Sequence, residues 1–84
     1  MQLSMLYIED IRLNFIRHNI REPNAIVFGP LSYIDFCKLV EIQSGIEVGQ
    51  LSEYRGMRVI VDLFSKDQYS VEVARIHKND GEEQ

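Results

Sequence analysis

Residues 22–36 read EPNAIVFGPLSYIDF. Pro23 biases Glu22 away from helical dihedrals, so a helix upstream ends near Ile20 or Arg21. Ala25, Ile26, Val27 and Phe28 then form a bare apolar run, as a strand covered on both faces would, and Gly29-Pro30 closes it. Beyond the break, Ser32 is expected as an N-cap. Asp35 stands three residues later to return a hydrogen bond, and Leu31 and Phe36 are spaced for a hydrophobic staple. The helix opened in this way presents Tyr33, Phe36, Cys37 and Val40 on one side and stops at Ser44-Gly45. The stretch therefore reads as a strand, a break and a capped helix.

Upstream, from about Ser4 to Asn19, Ile8, Ile11 and Phe15 recur at helical spacing, with Met5, Leu13, Ile16 and Ile20 widening the stripe. The stripe is broad for a surface helix, which is expected if one side meets the core and the other meets a second subunit. Downstream, IEVGQLSEYRG at 46–56 reads as an irregular connection or a short edge strand. MRVIVDLF and YSVEVARI are rich in β-branched residues and flank the polar tetrapeptide SKDQ, the pattern of an antiparallel hairpin. Met57, Val59, Val61 and Leu63 are expected inward on its first strand, with Tyr69, Val71 and Val73 inward on its second. Arg58, Ile60, Asp62 and Phe64 face away on the first strand, and Ser70, Glu72 and Ala74 on the second. The last residues, HKNDGEEQ, are polar and acidic and are expected to be a disordered tail at 77–84. The fold expected is α+β, with two helices on a small, mainly antiparallel sheet of three or four strands and a C-terminal β-hairpin, in one domain over residues 1–76.

Composition narrows the chemistry. A chain of 84 residues leaves a small core and little depth for an active site. Apolar residues are 45% of the chain and charged residues 26%, ordinary for a globular domain. The net charge of −4 disfavours polyanion partners, which need a basic field to displace counterions. Arg12, Arg17, His18 and Arg21 cluster toward the end of the first helix, with Glu9 and Asp10 nearer its start. That order suits the helix dipole without any ligand. Nucleic acid is accordingly not the expected partner. No run approaches the roughly 18 apolar residues of a membrane span, and the start has no secretory pattern. A cytoplasmic location is the expectation, that of the host if the protein is viral.

Catalytic signatures are missing from the sequence. Phosphate-binding glycine loops, H-E-x-x-H and G-x-S-x-G do not occur. Cys37 is the only cysteine, and the two histidines, His18 and His77, are far apart, so neither a metal site nor any cofactor is expected. Asp62 is a lone carboxylate in an apolar strand, where a cross-strand ion pair with Arg58 or Arg75 accounts for it without catalysis. Glu41, Glu47 and Glu53 give no fixed carboxylate pair.

The order of signals from Pro23 to Leu63, in EPNAIVFGPLSYIDFCKLVEI and YRGMRVIVDLF, resembles the central domain of tailed-phage major capsid proteins of the HK97-like fold. In that family a proline-led apolar strand, a small-residue break, a helix with an early aromatic, and a glycine before a hydrophobic strand follow one another. The resemblance implies an assembly role and carries no site residues. The function expected is that of a small non-enzymatic interaction or assembly protein of phage or mobile-element origin. It would act through self-association or a partner protein, with Tyr7, Ile11, Phe15 and Tyr54 as interface anchors. The alternative is a ligand-binding protein or enzyme whose site forms between subunits from Asp62, Arg58 and the Cys37 helix.

Overall fold

A computed structural model describes residues 3–47 and 49–76. The described residues form an α+β domain of two helices and a four-stranded mixed sheet. Helix α1 spans Met5–Asn19 and is followed by strand β1 at Ala25–Phe28. Helix α2 spans Pro30–Ser44. Strands β2 (Glu53–Tyr54), β3 (Met57–Val61) and β4 (Val71–Ala74) follow. The expected tail at 77–84 lies outside the described residues.

Local chemistry sets these boundaries. The Ser4 hydroxyl accepts the Tyr7 N–H at 3.1 Å and caps α1. The helix ends at Ile20, which enters the left-handed region at φ 55° and donates its N–H to the Ile16 carbonyl. Helix α2 ends on Gly45 at φ 71°, where a side chain would be strained. Its start lies upstream of the expected cap: Gly29 is the N-cap and Pro30 takes the first helical position. Proline favours that position because its missing N–H would have had no helical partner and its φ is already set. Ser32 thus falls inside the first turn, and no capping box with Asp35 forms.

The N–H groups at the start of α2 find their acceptor elsewhere in the chain. Leu31 and Ser32 both donate to the Gln68 carbonyl, at 3.0 and 3.2 Å. The buried Ser32 hydroxyl lies 2.6 Å from the Ser70 carbonyl and 3.1 Å from that of Gly29, and donates to these acceptors. A backbone carbonyl from the connection at 62–70 therefore does the work expected of a capping side chain. The approach is close: a Cβ on Gly29 would stand 2.5 Å from the Gln68 oxygen.

Sheet order is β2-β3-β1-β4. Strand β1 pairs parallel with β3, placing Ile26 beside Val59, and antiparallel with β4, placing Ile26 beside Val73. The β1–α2–β3 segment is thus a crossover unit, with α2 joining parallel neighbours. Strands β3 and β4 run up and back as the expected hairpin does, but they are not hydrogen-bonded neighbours, because β1 lies between them. The physical reason is the apolar content of β1. Ala25, Ile26 and Phe28 are buried, whereas β3 and β4 each expose charged residues, Arg58 and Glu72. The most apolar strand takes the centre, and residues 62–70 are long enough to step over it, a distance of about 10 Å. The tight hairpin of the sheet is instead β2–β3. It turns through Arg55 and Gly56 at φ 50° and 78°, positive at both central positions as a two-residue hairpin turn requires.

One core cluster joins both helices to the Ile26–Phe28 face of the sheet. It contains Leu3 and Ile8, Ile26 and Phe28, and Phe36 and Met57. The Phe36 ring stacks on Phe28 at a centroid distance of 4.6 Å and receives Tyr54 edge-on at 5.1 Å. Val59, Val71 and Val73 pack on the same cluster, as the alternation predicts. Leu63 and Tyr69, expected inward, lie past the strand ends and are exposed. The Tyr33 hydroxyl accepts the Leu51 N–H at 3.1 Å, tying the loop before β2 to α2. That bond lowers its pKa, but burial and the neighbouring Cys37 thiol act the other way, and the net direction is upward.

Candidate functional site

Residues with chemical potential are kept apart within the chain. Cys37 is buried on the inner side of α2. Arg58 is exposed near the start of β3, and Asp62 follows its end, so the two are separated along the strand by roughly 13 Å. The Asp62 carboxylate accepts the Phe64 N–H at 3.0 Å in a local turn, in place of the expected cross-strand ion pair. Among the described residues no group of three or more His, Cys, Asp or Glu side chains is placed to hold a metal ion. No helix among them is long and apolar enough to cross a membrane.

The N-terminus of α2 also offers no anion site. In crossover units that position, beyond the carboxyl end of a parallel strand, commonly receives a phosphate on free N–H groups. Here the Gln68 carbonyl occupies them. A shallow groove of about 330 Å³ runs between the end of α1 and β4, lined by Phe15, Asn19, Arg21, Val73, Ala74 and Arg75. The Arg75 guanidinium donates to the Glu22 carbonyl at 2.9 Å and so braces the chain on entry to β1.

The outer face of α1 is different. Around the helix, Ile8 is buried and Ile11, Phe15 and Ile16 are half-buried, forming the inward side. On the opposite side stand Leu6 at 78% exposure, Leu13 at 41% and Ile20 at 89%. Leu6 and Leu13 stand seven residues, two helical turns, apart and therefore stay on one line along the helix, and Ile20 follows as the exposed left-handed cap just past its end. Tyr7 flanks the line at 40% exposure. Asp10 and Arg17, both exposed, fill the gaps between its apolar residues.

The charges on α1 divide by face. Those on its flank are used within the chain. Arg12 pairs with Glu9 at 3.1 Å and with Glu22 at 3.0 Å, and Glu9 reaches Arg55 in the β2–β3 turn at 3.9 Å. Asp10 and Arg17 have no ion-pair partner among the described residues. The flank is thus committed to holding α1 against the fold, and the outer line is not.

The sequence-derived anchors are distributed unevenly over this picture. Tyr7 borders the outer line. Ile11 and Phe15 belong to the inward side, with Phe15 at the groove, and Tyr54 is part of the aromatic core against Phe36. The sequence pattern does not single out Leu6, and it merges Leu13 and Ile20 into one broad stripe. Their seven-residue spacing is the signal that separates them from it.

No family model, curated protein or solved structure compared with the chain matches it.

Proposed function

We propose that this protein is a small non-enzymatic interaction module that docks onto another protein chain through the outer face of α1. The observation that carries the reading is the run of exposed large aliphatic side chains Leu6 and Leu13, in register on α1, and Ile20, at the cap that ends it, bordered by Tyr7. An amphipathic helix ordinarily turns such residues to the core, and recognition by a helix face uses anchors spaced in this way. A cytoplasmic setting and a phage or mobile-element origin belong to the same proposal. An assembly role, which the sequence resemblance of residues 23–63 to a capsid-subunit domain would imply, is part of that proposal too.

The test is a photo-cross-linking amino acid placed at Tyr7 in the producing host, with the same probe at the exposed Lys66 as the comparison. Adducts with another protein chain are expected at Tyr7 and not at Lys66, and Leu13→Glu is expected to abolish them. Equal adduct patterns at the two positions would reject the reading.

A further inference from the structure

Resting on that reading, we infer that the chain docked on α1 is a second copy of this protein, lying antiparallel across a two-fold axis at Leu13. The argument is the chemical order along the exposed line: Leu6, Asp10, Leu13, Arg17, Ile20. Read from either end it is apolar, charged, apolar, charged, apolar, with the sign of the charge reversed. A two-fold contact requires one surface to complement itself, so that residue i meets j while j meets i. Antiparallel docking centred on Leu13 meets that requirement. Leu13 meets its own counterpart, Leu6 meets Ile20 of the second copy, and Asp10 comes within one residue of the level of Arg17 of the second copy. The remaining offset is about 1.5 Å along the axis, well within the reach of an arginine side chain.

The same order excludes the other simple arrangement. Parallel docking would set Asp10 against Asp10 and Arg17 against Arg17, and like charges held together oppose association. The free state of both charges points the same way. Among the described residues, the ion pairs of α1 use Glu9 and Arg12 and leave Asp10 and Arg17, the two charges that the symmetric contact would use twice. Ile20 adds a further sign. It is a β-branched residue held at φ 55° and 89% exposed, a position where glycine or asparagine relieves strain. A large apolar side chain at that cap gives the contact its third apolar residue.

The contact is a small one. Leu6 to Asn19 spans roughly 20 Å along the helix, with Ile20 just past its end, and a single helix face buries less than the roughly 1,200 Å² of a standard stable interface. The dimer is therefore expected to be in reversible, concentration-dependent equilibrium.

The experiment measures the mass of the purified full chain in solution by light scattering after size exclusion, over a range of concentrations. Wild type is expected to shift from monomer toward dimer as concentration rises. Asp10→Arg and Arg17→Asp should each weaken the dimer by about tenfold or more, since each reversal creates two repulsive pairs in the symmetric contact. Mixed in equal amounts, the two variants should recover it as a heterodimer, because every cross pair is then opposite in charge. This recovery also shows that both variants fold. A wild type that remains monomeric throughout would overturn the second copy as occupant. Adducts of the Tyr7 probe with a different protein would then leave the docking function standing. A dimer that neither reversal weakens, or two weakened variants that fail to recover on mixing, would overturn the antiparallel contact.

Discussion

Helices α1 and α2 each run for fifteen residues, yet they stand in opposite relation to the fold. Helix α2 is tied in at its start by the Gln68 carbonyl and the Ser32 hydroxyl, and along its length by Phe36 and Cys37. Its exposed apolar residues, Ile34 and Ile42, are not separated by seven residues and form no comparable line. Helix α1 fully buries only Ile8 among its residues, braces its flank with ion pairs, and leaves an ordered apolar line outside. The difference teaches that equal helices in a small domain can divide the work. Mutations on the inner side of α2 should read out as stability, and mutations on the outer side of α1 as association.

The comparison breaks hardest at Phe36. Phe36→Ala removes a ring with no exposed surface that touches both Phe28 and Tyr54, and should cost about 4 kcal/mol in chemical denaturation. A loss below about 1 kcal/mol would mean that α2 is not the organising helix. A smaller effect is expected at Gly29. There an alanine Cβ would meet the Gln68 backbone at 2.5 Å and lift the 62–70 connection from the start of α2. The expected cost of Gly29→Ala is about 2 kcal/mol, with amide exchange accelerating at Leu31 and Ser32. Unchanged protection at those two amides would contradict the proposed origin of the cost.

The smallest effect sharpens the contrast by separating its two readouts. Ile20→Gly relieves a left-handed β-branched residue and should raise monomer stability by about 1 kcal/mol, while weakening the dimer by removing one of its three apolar contacts. Thermal unfolding at low concentration and light scattering at high concentration measure the two effects on one sample. If stability and association fall together, the residue belongs to the monomer fold and not to an outer contact.

Much of the local architecture was legible in the sequence because it depends on neighbours in the chain. The proline before β1, the apolar run itself and the glycine after α2 each act within a turn or two. What escaped was non-local or carried by the backbone. The cap on α2 comes from a main-chain carbonyl at Gln68, which leaves no side-chain signature, and so the polar Ser32 drew the assignment. The β2–β3 turn places an arginine at positive φ, where sequence preference looks for glycine or asparagine, and Gly56 alone hints at it. Strand order escaped for the same reason: adjacency in sequence favours a β3–β4 hairpin, and only burial of β1 on both edges decides against it. At the interaction surface, the breadth of the α1 stripe was readable, but its division into an inner side and an outer line required knowing which side meets the sheet.

The central place of β1 also orders events in time. Its two neighbours, β3 and β4, both come later in the chain, with Ala25 meeting Arg58 on one side and Ala74 on the other. As the protein is synthesised, its most apolar strand emerges before either neighbour and has no partner until β3 arrives, and no second partner until β4 is made. Helices and the β2–β3 turn can form from local contacts, but the described sheet closes only when β4, separated from β1 by many residues, returns to it. During that interval the residues AIVF are the part of the nascent chain most open to wrong pairing.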